Sequence, residues 1–505
     1  MSLATVLTRA QLGIHAPLVR AEVHISGGLP RITLVGLAET AVRESRERVR
    51  SAIINANFSF PASRVTINLA PADLPKEGGR FDLAIALGIL AASGQIDPAN
   101  TEGFEFLGEL ALNGDVLPVT GCLPAALACH ADKRTLVVPA ANAAEAASVP
   151  GAAVIPVRHL LEVCAHLGGE ALLDAARPLS EGSPARPCPD LAEVRGQTLA
   201  KRALAIAAAG AHNLLLHGPP GTGKTLLASC LPGILPPLGT GEWLEVAAVH
   251  SVAGLGHCEA TTRERPFRSP HHSASGAALV GGGGNPRPGE ISLAHNGVLF
   301  LDELPEWPRR QLELLREPLE SGEIVVARAL RRTRYPARFQ LVAAMNPCPC
   351  GFLGAGFRPC RCTPEQVQRY RDRLSGPLLD RIDMRVEVSR PGTALLEDTA
   401  VAPGDTSAAL RERVRAARER QLARQRCANA ALAGEQLREH VQLRAEELAL
   451  LTAAAERWGL SARACHRVLR VARSIADFDG IAEPGAAALA EALGYRVTDT
   501  GAANG

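Results

Sequence analysis

One eight-residue stretch, GPPGTGKT at residues 218–225, constrains the fold of this chain more than any other feature. It matches the phosphate-binding loop G-x-x-x-x-G-K-[ST], which requires a strand directly before it and a helix directly after it. The apolar run NLLLH (213–217) predicts that strand, and TLLASCL (225–231) predicts that helix. Strands and helices continue to alternate to about residue 390, so the stretch predicts an α/β unit with a parallel sheet.

The loop residues predict a nucleoside triphosphate and a divalent cation as ligands. Glycines let backbone N–H groups turn toward phosphates, and the Thr225 hydroxyl is placed to ligate Mg²⁺. Lys224 is one of only four lysines among 54 basic residues. A compact ammonium reaches terminal phosphates in a way that arginine does not, so this lysine is informative. The ATP-binding residues are predicted to be Gly218, Pro219, Pro220, Gly221, Thr222, Gly223, Lys224 and Thr225.

Two further strands end in polar residues suited to ATP hydrolysis. GVLFLDEL (297–304) ends its apolar run at Asp302, which is predicted to hold Mg²⁺ with Thr225. Glu303 is then placed to polarise an attacking water, which indicates hydrolysis rather than binding alone. FQLVAAMNP (339–347) ends at Asn346, whose amide is predicted to orient water at the γ-phosphate. ATP and Mg²⁺ are therefore the expected substrate and cofactor.

Four of the 12 cysteines lie in MNPCPCGFLGAGFRPCRC (345–362), at positions 348, 350, 360 and 362. Paired C-x-C arms across a Gly/Pro turn suit tetrahedral thiolate coordination of Zn²⁺, although the spacing is tighter than the usual C-x-x-C. Four thiolates leave no open coordination position, which favours a structural role. Two interpretations stay open: a structural zinc held by Cys348, Cys350, Cys360 and Cys362, or free or redox-active thiols.

Length and composition limit the classes of protein to which the chain can belong. A chain of 505 residues is expected to form two to four domains. It has no run of eighteen apolar residues and no signal-like N-terminus, so we expect no membrane span, a cytoplasmic location and reduced cysteines. The net charge is only +2, so nucleic-acid binding would depend on local basic patches.

The pattern along the chain predicts an α/β multidomain protein. Residues 1–175 mix β-rich runs with Ala-rich helices, and 176–189 form a Pro/Ser/Gly-rich linker. Residues 190–392 contain the phosphate loop, and 405–498 are polar, Arg-rich and helical in pattern. The arginines of 411–426 are predicted to lie mostly on a solvated helix face.

The chain resembles the ComM/YifB family of magnesium-chelatase-like AAA+ ATPases, hexameric motors that drive branch migration of recombining DNA, notably in natural transformation. The resemblance is carried by long, idiosyncratic segments: DLAEVRGQTLAKRALAIAAAGAHNLLLHGPPGTGKT (190–225), RPFRSPHHSASGAALVGGG (265–283), PGEISLAHNGVLFLDELPEW (288–307), AAMNPCPCG (343–351), SGPLLDRID (375–383) and SARACHRVLRVARSIADFDG (461–480). It implies a homo-hexameric DNA helicase with an AAA+ core and a C-terminal helical lid.

The resemblance also implies roles for particular residues. Asn346 is identified as sensor 1 and Arg381 as the finger presented to a neighbouring subunit, although an isolated arginine is more often a surface ion pair. Arg463 is chosen as sensor 2, with Arg467 or Arg470 as alternatives. A helix-2 insert is expected near 265–285. There His271 and His272 are expected to contact DNA or to pack within the insert, rather than to bind a metal or act in catalysis. A hairpin near 323–338 carries five arginines, at 328, 331, 332, 334 and 338. In a ring these form a track for branched or single-stranded DNA.

The N-terminal segments LPKEGGRFDLAIALGILAASGQI (74–96) and GELALNGDVLPVTGCLPAALACH (108–130) are similar to Lon-type protease domains of the ribosomal S5 domain 2 type. The similarity places Arg80 where the nucleophilic serine belongs and Pro124 where the lysine belongs. Neither residue can perform that chemistry, so no protease activity is expected. Ring assembly or substrate gating is the expected role. The alternative functions are a metal-chelatase motor subunit and, less favoured, an ATP-dependent protease.

Overall fold

The computed structural model describes residues 2–36, 40–178, 188–255, 263–283, 286–328, 331–390 and 406–497. Most of the predicted linker, 179–187, lies outside the described residues. Within these ranges no helix combines the length and the apolar character that crossing a bilayer requires. The observed mixture of parallel sheets, flanking helices and a helical C-terminal region confirms the predicted α/β class.

The described residues between 2 and 178 form the N-terminal part, with two main sheets and five α-helices. Its strands are β1 (Ser2–Arg9), β2 (Leu18–Ser26), β3 (Arg31–Val35), β4 (Arg64–Ala70), β5 (Phe104–Phe106), β6 (Glu109–Leu110), β7 (Val116–Leu117), β8 (Thr135–Pro139) and β9 (Ala153–Val157). Its helices are α1 (Thr40–Asn55), α2 (Asp82–Ala92), α3 (Cys122–Ala131), α4 (Ala140–Ala147) and α5 (Leu160–Leu167). The sheet orders are β1-β2-β4-β3 and β5-β8-β9, with β6 and β7 as a separate ribbon.

Helix α2 is the centre of the N-terminal core. All eleven of its residues are buried, because DLAIALGILAA has no polar face to present to water. The helix packs on β1 and β2 so closely that a Cβ at Gly88 would lie 2.7 Å from Val23 Cγ2. Glycine is therefore required at that contact.

The described residues between 190 and 390 form the second α/β unit, which contains the phosphate loop and is named the ATPase core after the role that the sequence predicts for it. Its strands are β10 (Leu214–His217), β11 (Phe267–Arg268), β12 (Gly281–Gly282), β13 (Arg287–Pro288), β14 (Val298–Leu301), β15 (Glu323–Arg328), β16 (Arg331–Pro336), β17 (Gln340–Met345) and β18 (Met384–Glu387). Its helices are α6 (Thr198–Gly210), α7 (Lys224–Ile234), α8 (Thr240–Ala253), α9 (Gly276–Val280), α10 (Glu290–Leu293), α11 (Arg309–Glu313), α12 (Arg316–Ser321), α13 (Pro364–Arg371) and α14 (Gly376–Leu379).

The main sheet of this core has the order β11-β14-β17-β10-β18, and its paired strands all run parallel. His217 pairs with Met345, so the segments after β10 and β17 leave the sheet side by side. The segment after β14 leaves at the same edge, because carboxyl ends of parallel strands meet there. The sheet order thus brings the phosphate loop next to two strand ends that follow it by 77 and 122 residues in the sequence.

The C-terminal region consists of α15 (Ser407–Gln425), α16 (Gly434–His440), α17 (Ala445–Trp458), α18 (Ala462–Asp479) and α19 (Ala486–Val497). Its apolar residues join those of α6, α7 and the sheet in one buried cluster. Arginines of α15 also reach inward: Arg411 Nε donates to Gly233 O (2.7 Å), and Arg418 donates to Ala208 O (2.7 Å) and Ala209 O (2.9 Å). The predicted solvated face of α15 is therefore only partly correct.

The N-terminal part and the ATPase core share a hydrophobic cluster. Side chains of α3, α4 and β8 pack there against Trp243, Val246 and Ala247 of α8. Backbone N–H groups of the α3 N-terminus add two bonds to Ser251: Gly121 N to its carbonyl (3.1 Å) and Leu123 N to its hydroxyl (3.3 Å). Helix α8 is therefore an integral part of the interface between the two units.

Candidate active site

Lys224 is the second-last residue of the phosphate loop and the first residue of α7. Its Nζ donates hydrogen bonds to Gly218 O (2.7 Å), Pro219 O (2.8 Å) and Asn346 Oδ1 (3.1 Å). Burial lowers the pKa of Lys224, and the carboxylates of Asp302 and Glu303 oppose that shift. The lysine therefore joins the loop after β10 to the polar tip of β17, two segments 122 residues apart.

Thr225 and Asp302 also join two segments that are distant in the sequence, 77 residues apart. The Thr225 hydroxyl donates to Asp302 Oδ2 at 2.7 Å, and the other carboxylate oxygen accepts from Glu303 N at 2.8 Å. A hydroxyl and a carboxylate oxygen at this separation are the hard oxygen donors that Mg²⁺ prefers. The donor set therefore fits the predicted ion.

Glu303 has an unusual backbone conformation. Its φ of +49° and ψ of +48° lie in the left-handed region, which a residue with a long side chain rarely adopts. This turn directs the chain away from β14 and leaves the carboxylate about half exposed. Its Oε2 lies 3.5 Å from Nδ1 of His272, whose ring packs 4.0 Å from that of His271.

The approach of His272 to Glu303 is a feature that sequence reasoning missed. From the sequence, His271 and His272 are predicted to contact DNA or to pack within the insert. The signal is that SPHHS (269–273) follows β11 directly, and β11 pairs with β14, the strand that ends before Asp302. Residues after two neighbouring parallel strands lie close together, so the contact follows from the sheet order.

Arg381 and the three sensor 2 candidates lie together, away from the phosphate loop. All four line one cavity of about 410 Å³, with Arg463, Arg467 and Arg470 contributed by α18. The Arg381 guanidinium pairs with Glu320 and donates to Pro377 O at 2.5 Å. Within the described ranges, none of the four guanidinium groups donates to residues 218–225.

The predicted hairpin is present as β15 and β16, which pair antiparallel from Glu323↔Pro336 to Arg328↔Arg331. Arg332, Arg334 and Arg338 have exposed side chains, and Arg338 contacts Glu245 at 3.4 Å. Residues 329–330 and the side chains at 328 and 331 lie outside the description. Of the expected insert, residues 265–283 are described and include β11, α9 and β12.

The four cysteines of 348–362 converge on one point. Their Sγ atoms all lie within 4.8 Å of one another, and three of the separations are 3.4, 3.5 and 3.6 Å. Zn–S bonds of about 2.3 Å in a tetrahedron would space the sulfurs by roughly 3.8 Å, so the set fits zinc. Backbone amides of Arg361 and Phe352 donate to the Cys350 sulfur and lower its pKa to about 6.

The cysteine loop packs directly on the phosphate loop. Gly351 has a φ of +82°, and a Cβ there would lie 2.7 Å from Pro220 Cδ. Cys348 is fully buried two residues after Asn346. The cysteine cluster therefore supports both the nucleotide loop and the asparagine that contacts Lys224.

Comparison with known proteins places these observations in a family. Residues 190–395 match the family model of magnesium chelatase subunit ChlI, and 21–142 and 404–496 match models of ChlI and of its C-terminal region. A match of 28% identity over 213 residues links the chain to the magnesium-chelatase 38 kDa subunit of Cereibacter sphaeroides, covering 39% of this chain and 57% of that subunit.

Two relatives match over nearly the whole length of both chains. The protein YifB of Salmonella typhimurium is 51% identical over 501 residues, covering 99% of this chain and 98% of the relative. Competence protein ComM of Haemophilus influenzae is 50% identical over 500 residues, covering 98% of each. Together with the clustering of the phosphate loop, the acidic strand and the polar sensor strand, these matches show that the chain belongs to the ComM/YifB family of magnesium-chelatase-like AAA+ ATPases.

Proposed function

We propose that this protein is an ATP-hydrolysing hexameric motor that acts on branched DNA and promotes branch migration during recombination and natural transformation. The observation that carries the ATPase part is the pair of contacts Lys224–Asn346 and Thr225–Asp302, which unite the phosphate loop with two other strand ends. The competence name of the relative ComM supports the DNA part.

In the proposed mechanism, Lys224 and the backbone amides of the loop bind the β- and γ-phosphates. Thr225 and Asp302 would hold Mg²⁺, which supplies charge neutralisation at the phosphates when bound. Glu303 accepts a proton from the attacking water, and Asn346 orients that water at the γ-phosphate. Asn346 already contacts Lys224, so it is within reach of the position that the γ-phosphate would take.

The arginine-lined cavity supports a site completed by a second chain. Arg381 and Arg463 are proposed to face the nucleotide of a neighbour, where they would stabilise the charge of the transition state. Arg463 is exposed and, among the described side chains, unpaired, whereas Arg467 lies 3.8 Å from Asp383. This difference favours Arg463 over Arg467 as sensor 2.

The β15–β16 hairpin is the proposed DNA track. Its exposed arginines repeat along one ribbon, which suits contacts to successive phosphates of a strand. The N-terminal part is proposed to be a Lon-protease-like domain of the ribosomal S5 domain 2 type, and the helices of 406–497 are proposed to be the lid. Arg80 and Pro124 are both buried where the similarity places the protease dyad.

The decisive experiment is ATP-dependent branch migration on a synthetic Holliday junction. The wild-type protein is expected to convert the junction to forked products only with hydrolysable ATP, and Glu303→Gln is expected to bind the junction without moving it. A protein that hydrolyses ATP but neither binds nor moves four-way DNA would contradict the proposal.

A metal-chelatase motor subunit is the second candidate, favoured by the matches to magnesium chelatase models. Such a motor would hydrolyse ATP without responding to DNA. Addition of four-way DNA to the ATPase assay separates the two, since stimulation of turnover supports the DNA motor. A protease is the least favoured candidate, and degradation of casein by the pure protein would support it.

We also propose that the four cysteines hold a structural zinc. The purified wild-type protein is expected to contain one zinc ion per chain by elemental mass spectrometry, because four convergent sulfurs satisfy a tetrahedral site. Cys348→Ser is expected to lose the zinc and to lower the thermal midpoint. Cys465→Ser, a partly exposed cysteine on α18, is the control and should retain the metal. A wild-type protein purified without chelator and free of zinc would favour free or redox-active thiols.

A further inference from the structure

Arg381 lies in the short segment between α14 and β18, at the amino end of a strand of the main sheet. The phosphate loop, Asp302 and Asn346 lie at the opposite, carboxyl edge of the same sheet. The Arg381 guanidinium pairs with Glu320 and donates to Pro377 O, which holds the far end of the side chain. Other groups have to hold the backbone from which this side chain extends.

Asn213 is the residue directly before β10, and its side chain bridges the amino ends of both strands that flank β10 in the sheet. Its Nδ2 donates to Arg381 O at 2.9 Å, and its Oδ1 accepts from Leu341 N at 2.8 Å. Arg381 is 168 residues away along the chain, and Leu341, in β17, is 128 residues away. One half-buried amide therefore joins three segments of the ATPase core.

The two contacts require the carboxamide of asparagine. A backbone N–H only donates and a backbone carbonyl only accepts, so the bridging side chain needs one acceptor and one donor at a fixed spacing. Alanine offers neither group. An ionised aspartate at position 213 would keep the bond from Leu341 N but would place an oxygen against Arg381 O.

The backbone of Asn213 pairs with the same segment independently of the side chain. Asn213 O accepts from Asp383 N and from Met384 N, both at 3.0 Å, and Asn213 N donates to Asp383 Oδ2 at 3.0 Å. These bonds hold β18 against β10 and do not need the amide. What the side chain adds on this side is the contact to the carbonyl of Arg381 itself.

We propose that Asn213 is a positioning residue for ATP hydrolysis, which holds the Arg381 backbone where the side chain can reach the nucleotide of a neighbouring chain. The inference rests on the proposed role of Arg381 as the finger. Because β10 leads into the phosphate loop and β17 ends before Asn346, the same amide fixes the finger segment relative to the strands that carry the nucleotide-binding residues. A misplacement of about 1 Å at a reacting group can lower turnover by about 10²-fold.

Asn213→Ala is expected to lower kcat for ATP hydrolysis by about 10- to 10²-fold and to leave the affinity for ATP close to that of the wild type. The loss is smaller than that expected for removal of the arginine, because the guanidinium is still present and only its anchor is gone. Phosphate release gives kcat, and equilibrium binding of ATP in the presence of Mg²⁺ gives the affinity.

Gln340→Ala is the matched control at the same edge of the sheet. Gln340 Nε2 also makes two buried hydrogen bonds, to His212 O at 2.7 Å and to Ala207 O at 3.1 Å, but none to residues 380–383. Both variants should lower the thermal midpoint, because each loses two hydrogen bonds. Only Asn213→Ala should lower kcat. An equal loss of kcat in both variants would show a general effect of stability and would overturn the inference.

Mixing of inactive or weakened chains supplies a readout that a purely structural role would not give. Lys224→Ala keeps the finger and its anchor, so its mixture with Asn213→Ala should hydrolyse ATP faster than the sum of the two separate proteins. A mixture of Asn213→Ala with Arg381→Ala should show no such gain, because neither chain has a correctly held finger. The reverse pattern would mean that Asn213 acts on its own phosphate loop, and the inference would be wrong.

A further pair separates this inference from the proposed function. If Lys224→Ala and Arg381→Ala do not restore each other, the finger itself fails; if they do and Asn213→Ala does not behave like Arg381→Ala, only the role of Asn213 fails. Should Asn213→Ala not fold, Asn213→Asp replaces it in every assay, since it keeps the shape of the side chain and the bond from Leu341 N. It is expected to show the same loss of kcat, and wild-type kcat in this variant would overturn the inference.

Discussion

Glu303→Gln is expected to lower kcat for ATP hydrolysis by about 10²–10⁴-fold while leaving ATP affinity close to that of the wild type. Glutamine fills the same space but cannot accept a proton from the attacking water. The residues proposed to bind the phosphates and Mg²⁺ stay in place, because Thr225 contacts Asp302 and not Glu303. Phosphate release gives kcat, and equilibrium binding of ATP in the presence of Mg²⁺ gives the affinity.

The matched control is Glu306→Gln, three residues along the chain. Glu306 is exposed and lies 2.9 Å from Arg373, so its loss should change turnover less than twofold (about the limit of such an assay). Turnover of Glu303→Gln within about twofold of the wild type would remove Glu303 from the role of base.

Arg381→Ala is expected to reduce ATP hydrolysis by roughly 10³-fold or more without loss of ATP binding, as for other arginine fingers. The reason is that Arg381 does not contact its own phosphate loop in the described structure and instead lies with Arg463 in a separate cavity. The substitution should therefore spare the Lys224 contacts. Arg371→Ala, at an exposed arginine of α13, is the control and should hydrolyse ATP normally.

A mixing experiment separates action on a neighbour from action within one chain. Lys224→Ala is expected to be inactive because it lacks the phosphate-binding ammonium, but it keeps Arg381. Mixed with Arg381→Ala, it can supply the missing finger to an intact phosphate loop, so the mixture should recover part of the activity. If each variant is inactive and the mixture is inactive too, although the chains co-assemble, the finger does not act between chains.

The sequence was most informative where one motif has a strict structural context. GPPGTGKT requires a strand before it and a helix after it, and both are present as β10 and α7. The acidic and polar strand ends could be placed near the loop because parallel strands share a carboxyl edge. Lys224, Thr225, Asp302 and Asn346 are consequently found in contact, as expected from the pattern.

Other features depend on packing between distant segments, which a local pattern does not report. Arg411 and Arg418 of α15 donate hydrogen bonds to backbone carbonyls of α6 and α7. The arginine pattern of this helix in the sequence predicts a solvated face instead. The contact of Gly351 with Pro220 and the approach of His272 to Glu303 each need the tertiary arrangement. The left-handed backbone conformation of Glu303 also depends on the tertiary structure, because glutamate has no intrinsic preference for it.

The apolar cluster shared by α3, α4 and α8 has a mechanical consequence. Trp243, Val246 and Ala247 belong to the nucleotide-binding unit, yet they complete the core of the N-terminal part. Large apolar contacts of this kind resist hinge motion. A conformational change of the ATPase core would therefore move the N-terminal part with it as a rigid body. A fragment cut at residue 190 would expose the Trp243 surface to water and should aggregate instead of turning over ATP.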